Sequence, residues 1–314
     1  MLCRLDTMLK KIRAVFILLR PYSLPGLFLL YYLAKVIITN SLNLNLLNIL
    51  MFVPVFFAWT FLTLFLEAQH KHSNREKIPY SYPITALLIT ILFAIFFNGL
   101  TPLLPLVFFL IFTYLYTKKN STRFSGNTSF IMRGFMETSL FFFALSLFSN
   151  SYLNIQIIFL GIAILLITSA RNLLGDIRDT KFDETTFSVS FGDGLSYIVS
   201  TVLYIFGGFV LFFISNYSIG IIFPLILMVI LLLFIDNGYM FHRLSVLLST
   251  VLISMYILFL TGNNSLIILL NVIFLSILFN LVFYDLVPRH ANPKGINTKF
   301  GILPSLKKIN STKK

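Results

Sequence analysis

Acidic residues gathered in one short stretch have the type and spacing to hold a cation. The segment RNLLGDIRDTKFDETTFSVSFGD, residues 171–193, contains five of the 11 acidic residues of the whole protein. If this segment is helical, successive residues lie 100° apart, so side chains three, four and seven positions apart share a face. The four side chains that this spacing places on one narrow face are Asn172, Asp176, Asp179 and Asp183.

The spacing of these carboxylates favours a divalent cation over a bare helix surface. Carboxylates at i, i+3 and i+7 repel one another on a helix, and Arg171 and Arg178 are predicted to point to the opposite side. Mg²⁺ takes hard oxygen ligands and commonly binds one or two carboxylates together with substrate phosphates. A solvated, charged helix end is the alternative. Because acid is scarce elsewhere, we predict a Mg²⁺ site with Asp176, Asp179 and Asp183 as ligands.

The elements that must position this site are membrane-spanning helices. The 314 residues are 58% hydrophobic and 11% charged, with a mean hydropathy of +0.91, whereas soluble domains carry about 25% charged residues. Apolar runs of about 17–22 residues recur, and each could cross a ~30 Å hydrocarbon core as a helix. We therefore predict an all-α, polytopic transmembrane bundle. The ten predicted spans are 22–39, 46–66, 81–97, 102–117, 129–148, 153–170, 195–215, 219–235, 244–262 and 266–285.

The charges of the predicted loops indicate one orientation in the membrane. Loops on one side carry no charge, whereas 67–80, 118–128 and 171–194 on the other side hold lysines and arginines. By the positive-inside rule, these loops and both termini are predicted to be cytoplasmic, in a multi-pass protein of the cell membrane. Lys35 would lie near the outer end of a span, where its long stem could snorkel to the interface.

Contact with anionic membrane lipid explains why the chain has more basic than acidic residues. The net charge is +13, and the basic segments 1–21 and 286–314 suit a cytoplasmic face on anionic membrane lipid. We therefore predict no nucleic-acid partner, and a transmembrane domain over 22–285 between two basic cytoplasmic ends. Cys3 is the one cysteine of the chain, which excludes an internal disulfide and fits no metal motif.

The acidic stretch resembles the second aspartate-rich motif of the UbiA-type intramembrane prenyltransferases. Asp179 and Asp183 match the D-x-x-x-D of that motif, and Asp176 matches an aspartate that often precedes it by three residues. The run TFSVSFG, residues 186–192, is similar to the T-L-P-V-x-x-G-like run that follows, with Ser188 where proline is usual. The gap between the two runs is about four residues shorter than in the family.

Other segments extend the resemblance over most of the chain. LRPYSLPGL, residues 19–27, is similar to the Arg-Pro start of the family's first span, and YLYTKK, residues 114–119, to the end of its fourth. The family core has nine spans, so the resemblance implies a UbiA-like bundle of about nine or ten, with 266–285 as an addition.

The family's first motif, N-D-x-x-D-x-x-x-D, is altered in this chain. In FLEAQHKHSNREKIPYS, the best register gives Glu67, Lys71 and Arg75 at four-residue spacing, so one carboxylate remains and two positions are basic. Lys71 or Arg75 could neutralise part of a diphosphate directly. Alternatively, these residues are simply the basic residues of a cytoplasmic interface.

The resemblance implies an enzyme that moves an isoprenyl group from a polyprenyl diphosphate donor to a lipophilic acceptor. Mg²⁺ on the three aspartates and positive charge from Lys119 and Arg123, with Lys71 or Arg75, would stabilise the leaving diphosphate. Asn172 and Glu67 are predicted to contact substrate as well. The allylic cation that forms would need a dry cavity with apolar and aromatic walls.

Glu137 is predicted to lie inside the bilayer. In FIMRGFMETSLFF, Arg133 and Glu137 are four residues apart on the fifth span, with Glu137 about 12 Å from the cytoplasmic helix end at 1.5 Å per residue. Ionisable residues inside a bilayer are by default a functional hypothesis. Two interpretations stay open: the pair fixes helix packing, or Glu137 forms a wall of the pocket and orients or deprotonates the acceptor.

Competing functions remain on the sequence alone. Gly175, Asp179 and Asp183 reproduce the G-x3-D-x3-D part of the CDP-alcohol phosphotransferase motif, but no upstream D-G is present and ten spans are too many. A transporter would place polar features near mid-membrane, whereas this chain concentrates them at one interface. A degenerate relative that binds a lipid diphosphate without turnover, and a transferase that uses a phosphorylated sugar donor, both stay open.

Overall fold

All of the secondary structure in the described residues is helical. The computed structural model describes residues 19–69, 78–180, 183–213 and 238–283. A short 3-10 turn, Pro21–Ser23, precedes the first helix. The helices are α1 (Leu24–Thr39), α2 (Leu46–Gln69), α3 (Ser81–Asn98), α4 (Leu103–Thr117), α5 (Arg123–Asn127), α6 (Ser129–Phe148), α7 (Ile155–Asp179), α8 (Phe187–Phe191), α9 (Asp193–Phe213), α10 (Gly238–Thr261) and α11 (Leu266–Phe283).

Eight of the described helices are long and apolar enough to cross a membrane. This confirms the prediction of an all-α, multi-pass membrane bundle. Helix α4 is apolar but only 15 residues long. The predicted span 219–235, the basic segment 286–314 and nearly all of the segment 1–21 lie outside the described residues, so those predictions stay untested.

The central helices of the bundle are α6 and α7. In α6, 78% of the spanning window is buried, against 22% in α3 and in α11. Helix α7 packs against α6, α9 and α10. Large apolar side chains remain exposed on the peripheral helices, among them Phe96 and Ile267, as expected where a helix faces lipid. The acidic motif therefore lies at the end of a helix that is surrounded by protein.

Helix α7 extends nine residues beyond the predicted span 153–170. Its first turn is capped by Asn154, whose Oδ1 accepts a hydrogen bond from the Ile157 N–H at 2.9 Å, as short polar side chains do at helix N-termini. The helix then continues to Asp179 because Leu173, Leu174 and Ile177 are buried among neighbouring helices. The hydropathy of the sequence predicts an end of this helix that is too early, because the polar residues between these apolar ones lower the mean hydropathy.

Lys35 lies near the end of α1, four residues before Thr39, as predicted, and the prediction that it snorkels to the membrane interface stays untested. Its side chain is buried, with the residue 1% exposed. Its ammonium group donates to the Ser41 carbonyl and, at 2.7 Å, to the Asn43 carbonyl. The loop that follows α1 folds back over the helix end and supplies these carbonyls, which replace water as hydrogen-bond partners.

Candidate functional site

A cavity of about 100 Å³, the charged cavity, lies beside the acidic end of α7. Its lining residues come from the start of α1, the later part of α2, the end of α4, the start of α6, the last third of α7 and the start of α10. Apolar side chains of α1, α2, α6 and α10 form part of its wall. The charged residues that line it are Arg20, Lys119, Arg133, Glu137, Arg171, Asp176, Arg178 and Asp179.

Lys119 joins two of the three predicted metal ligands. Its Nζ lies 2.8 Å from Asp183 Oδ2 and 3.7 Å from Asp176 Oδ1. Ser129, at the start of α6, also contacts Asp176, with 3.3 Å between its Oγ and Oδ2. Burial works to lower the pKa of Lys119, but Tyr116 and the two carboxylates outweigh it, so the pKa of Lys119 is raised. The amine therefore stays protonated at neutral pH.

Asp183 lies outside helix α7, so the helical wheel applies to the other aspartates only. The helix ends at Asp179, and the Asp183 N–H donates to the Asp179 carbonyl at 3.0 Å in the turn that follows. The segment after Asp183 then packs on α5. Thr185 donates its hydroxyl to the Lys119 carbonyl at 2.7 Å, and this contact ties the loop that carries Asp183 to the loop that carries Lys119.

The close approach of this segment to α5 requires a glycine. A Cβ built on Gly126 would lie 1.9 Å from the Thr185 carbonyl oxygen, far inside van der Waals contact. The short helix α5 thus forms a backbone platform for residues 183–186. The glycine is a sequence signal for this close packing, although it does not identify the partner in advance.

Asp179 is bound by its chain neighbour Arg178. The guanidinium makes two parallel hydrogen bonds to the carboxylate, at 2.7 Å from Nε and 2.6 Å from Nη2, which is the bidentate geometry of a strong arginine–carboxylate pair. Arg178 Nη1 also lies 3.0 Å from His242 Nδ1 on α10. Because a guanidinium only donates, Nδ1 is the acceptor of this contact.

Glu137 is held between two arginines inside the bundle. Arg133 Nε lies 3.4 Å from Glu137 Oε1, and Arg171 Nη2 donates to the same oxygen. Glu137 is eight residues from the start of α6 and Arg171 is eight residues from the end of α7, so both lie about 12 Å from the charged end. The ion pair predicted for Arg133 is present, and Arg171 makes it a triad.

The positions of Asp176 and Asp183 fit Mg²⁺ better than the position of Asp179. Asp176 and Asp183 converge from two elements on one positive charge, the Lys119 ammonium. Mg²⁺ needs only one or two carboxylates when phosphates and water supply the rest, so this pair fits once the amine has moved. Asp179 fits only after it exchanges Arg178 for the metal. Among the described residues, His, Cys, Asp and Glu form no group of three that could hold a metal.

Arg20 has a special backbone conformation at the mouth of the charged cavity. Its φ is +53° and its ψ is +61°, in the left-handed region, a conformation that costs a non-glycine residue on the order of 1 kcal/mol or more. Its Nη2 lies 3.6 Å from Glu67 Oε1. Arg20 Nε and Arg133 Nη1 are buried and, within the described residues, have no hydrogen-bond partner. Both arginines therefore keep a donor for a ligand.

The remaining predicted contacts divide into three groups. Asn172 lines the cavity, and its Nδ2 donates to the Thr168 carbonyl at 2.6 Å. Arg123 is exposed at the start of α5 and does not line the cavity, so the structure does not bring it to the aspartates. Lys71 and Arg75 lie outside the described residues, and their predicted roles stay predictions.

The prediction that Arg171 and Arg178 point away from the aspartates is wrong, since both line the cavity. The physical reason is that α7 is surrounded by helices, so the cavity borders more than one of its faces, and long arginine side chains turn toward buried acid. The sequence analysis also missed His242. An ionisable residue at the start of an apolar span was the available signal.

The chain was compared with known proteins. No protein-family model and no curated protein matches it. A solved structure described under the biosynthesis of digeranylgeranylglyceryl phosphate synthase in membranes aligns with it at a TM-score of 0.48 and 17% sequence identity. The alignment covers 87% of this chain and 99% of that one. A similarity of this size determines neither a family nor a function.

Proposed function

We propose that this protein is an intramembrane prenyltransferase that moves an isoprenyl group from a polyprenyl diphosphate to a lipophilic acceptor. The observation that carries the proposal is the charged cavity, in which paired carboxylates and cations meet at one end and apolar walls continue inward. A molecule with a highly charged head and an apolar tail matches both parts. We further propose that this end and both termini face the cytoplasm, because the basic loops lie on that side.

The diphosphate would bind among Lys119, Arg178 and Arg20. In the free protein, Lys119 balances Asp176 and Asp183, and Arg178 balances Asp179. When a diphosphate binds together with a cation, the Lys119 ammonium and the Arg178 guanidinium can move from the carboxylates to the phosphates. The cation then pairs with the carboxylates, so that no charge is left unpaired. Arg20 adds an Nε–H that is already free for a phosphate oxygen.

Mg²⁺ when bound would neutralise diphosphate charge and so favour departure of the leaving group. Asp176 and Asp183 would hold it once Lys119 has turned away, and Asp179 would join them if it releases Arg178. Asn172 stands one helical turn before Asp176 on the same cavity wall and can orient a phosphate or a metal-bound water. These ligand assignments follow from the convergence of the carboxylates and from the resemblance to the second aspartate-rich motif.

The reaction would begin with ionisation of the donor. The C1–O bond breaks, and its electron pair stays on the diphosphate oxygen, where the guanidinium and ammonium groups stabilise the new charge. The allylic cation would then face the apolar walls, including Leu30 and Leu140, which exclude water.

The acceptor would then attack C1 and lose a proton to the departing diphosphate. Arg133 and Arg171 both contact Glu137 Oε1, so this oxygen already has two partners within the protein. Of the two roles left open for Glu137, the geometry favours orientation of the acceptor over its deprotonation. Helix packing by the same triad is compatible with that role.

The proposal is tested by binding of a non-hydrolysable isoprenyl thiodiphosphate to the purified protein in nanodiscs, with and without Mg²⁺. We expect Mg²⁺-dependent binding in the wild type, loss of binding in Asp179→Asn and Asp183→Asn, and no change in Arg123→Gln, the exposed arginine of the neighbouring loop. Binding that ignores Mg²⁺ and both aspartates would contradict the proposal.

A second experiment separates an enzyme from a relative that binds without turnover. The wild-type protein is supplied with a polyprenyl diphosphate and a membrane lipid extract, and release of inorganic diphosphate is followed. Release that requires both Asp183 and the extract would show transfer. Donor binding without any release would identify the non-catalytic alternative, and binding of a sugar diphosphate in place of the isoprenyl compound would identify a different donor.

A further inference from the structure

His242 packs its imidazole ring on the backbone of α7. The residue lies near the start of α10, is 8% exposed and lines the charged cavity. A Cβ built on Gly175 would lie 3.2 Å from His242 Nε2 and 3.3 Å from its Cδ2, which is closer than ordinary van der Waals contact. The glycine therefore lets the ring approach α7 about one turn before Asp179.

The contact with Arg178 determines which ring nitrogen of His242 is protonated. Arg178 Nη1 lies 3.0 Å from His242 Nδ1, and a guanidinium has donors only. Nδ1 is therefore the acceptor, the ring is neutral, and its proton is on Nε2. A ring in this state has no nitrogen left to take a proton from a substrate, so a role of His242 in the site must act through Arg178.

Arg178 is divided between two acceptors of different character. Its Nε and Nη2 donate to the Asp179 carboxylate at 2.7 and 2.6 Å, and its Nη1 donates to the neutral His242 ring on another helix. Mg²⁺ prefers oxygen ligands, so an ion that enters the site would take the carboxylate and leave the imidazole to the arginine.

The contact with His242 can persist when Asp179 exchanges the arginine for a metal ion. It uses a guanidinium nitrogen other than the two that bind Asp179. Removing an acceptor from a buried charged donor is costly, and a second acceptor that stays in place lowers this cost. The released Nε and Nη2 form a fork that suits two phosphate oxygens.

We infer that His242 is a positioning residue that keeps Arg178 in the charged cavity while Asp179 exchanges that arginine for Mg²⁺. The fork of Arg178 then faces the diphosphate. A neutral acceptor suits this role, because a carboxylate in its place would compete with the phosphates for the guanidinium. The inference rests on the proposed metal–diphosphate site, and its metal half can be measured without a donor.

Mn²⁺ binding in the absence of a donor tests the exchange. The purified protein in nanodiscs of neutral lipid is titrated with Mn²⁺, and the free ion is followed by electron paramagnetic resonance. His242→Leu should weaken Mn²⁺ binding by about tenfold, since release of Asp179 then costs Arg178 both of these acceptors. His242→Asn places an amide oxygen near the Nδ1 position and should stay within about threefold of the wild type. Arg243→Gln, which alters the next residue and its contact with Asn280, should bind Mn²⁺ like the wild type.

A double-mutant cycle separates the positioning of Arg178 from packing of the ring. Arg178→Gln removes the cation that competes for Asp179 and should bind Mn²⁺ more tightly than the wild type. Adding His242→Leu to Arg178→Gln should change the affinity no further. An equal loss in both backgrounds, a His242→Asn affinity as low as that of His242→Leu, or Arg178→Gln binding no tighter than the wild type would each overturn the inference.

The same variants are then titrated with isoprenyl thiodiphosphate in saturating Mg²⁺. His242→Leu should weaken donor binding by about tenfold, and the double variant should bind the donor no more weakly than Arg178→Gln. If the thiodiphosphate does not bind the wild type, the prenyl-transfer proposal fails, while the Mn²⁺ cycle still decides whether His242 retains Arg178. If Mn²⁺ does not bind the wild type, the inference about His242 fails, whatever the donor does.

Discussion

Buried cations at the two ends of the bundle are compensated in different ways. At the charged end, Lys119 faces Asp176 and Asp183, and Arg20 and Arg133 retain free donors. At the opposite end, Lys35 is equally buried but donates to loop carbonyls. Carbonyls satisfy hydrogen bonds without adding charge, so Lys35 completes a local structure. Carboxylates that share one amine instead form a charge network that can be rearranged by a ligand.

The comparison suggests a general distinction between structural and functional buried charge. A structural cation has neutral partners supplied by neighbouring backbone, and its removal should affect stability alone. A functional cation belongs to a network with acid and with spare donors, so its removal should change both stability and ligand binding. If the two ends of this bundle differ in that way, variants at one end should lose stability alone and variants at the other should also lose ligand binding.

Replacing Lys119 should have the largest effect. Lys119→Met leaves two buried carboxylates without their cation, and breaking a buried pair costs about 3–5 kcal/mol. The variant should unfold at markedly lower temperature in detergent. Mg²⁺ should raise its unfolding temperature more than that of the wild type, because the ion no longer competes with the amine.

Lys118→Met, which alters the exposed neighbouring lysine, is the matched control and should change little. A variant that Mg²⁺ does not rescue would argue against metal binding by Asp176 and Asp183.

Filling the space beside Thr185 should have the next largest effect. Gly126→Ala forces a Cβ onto a backbone carbonyl, and overpacking of this kind costs about 1–3 kcal/mol. Because the displaced segment carries Asp183, donor affinity should fall together with stability. Gly161→Ala is the comparison, since its Cβ would meet the Phe142 ring at 2.7 Å and Gly161 does not line the charged cavity. Equal donor affinity in both variants would show that the position of the 183–186 segment is unimportant for the site.

Replacing Lys35 should lower stability without changing the affinity of the site for the donor. Lys35→Met removes the donor to two loop carbonyls, and a buried unsatisfied polar group costs about 1–3 kcal/mol. We expect a lower unfolding temperature and an unchanged affinity for isoprenyl thiodiphosphate. A loss of donor affinity comparable to that of Lys119→Met would break the distinction between the two ends.

The pH dependence of the Lys119 contribution should be the smallest effect. The folded-state pKa of Lys119 is raised, so its stabilising contribution is fully present below the unfolded value of about 10.4 and is lost as the pH rises through the folded pKa. The difference in unfolding temperature between wild type and Lys119→Met should therefore stay constant from about pH 8 to 10. A difference that closes within this window would mean that the folded-state pKa of Lys119 is lowered and not raised.

The sequence predicts the helical membrane architecture and the acidic centre well, because both depend on local composition. Apolar runs determine spans, and scarce carboxylates stand out in a chain of this kind. It does not predict which cations reach the site. Lys119 and Arg123 are both basic residues of one loop, yet only Lys119 meets Asp176 and Asp183. That difference depends on how α5 turns the loop, which is a tertiary feature.

Side-chain direction was the other property beyond reach of the sequence. A helical wheel places Arg178 on the other side of the helix from Asp176 and 100° from Asp179, but the guanidinium bends to Asp179 and to His242 on α10. The wheel describes where a Cβ points, and a long side chain with several rotatable bonds follows the surrounding charges instead. Likewise, Arg171 turns to Glu137 because burial leaves both charges few other partners.

The central claim is that the charged end of the bundle is a metal–diphosphate site. Anomalous scattering from Mn²⁺, in crystals grown with an isoprenyl thiodiphosphate, tests it most directly. The account predicts one or more Mn²⁺ peaks in contact with Asp176 and Asp183, with the thiodiphosphate beside the ion and Lys119 turned toward its phosphates. A thiodiphosphate bound elsewhere, or bound in the cavity with Lys119 still between the two aspartates and no Mn²⁺, would contradict it.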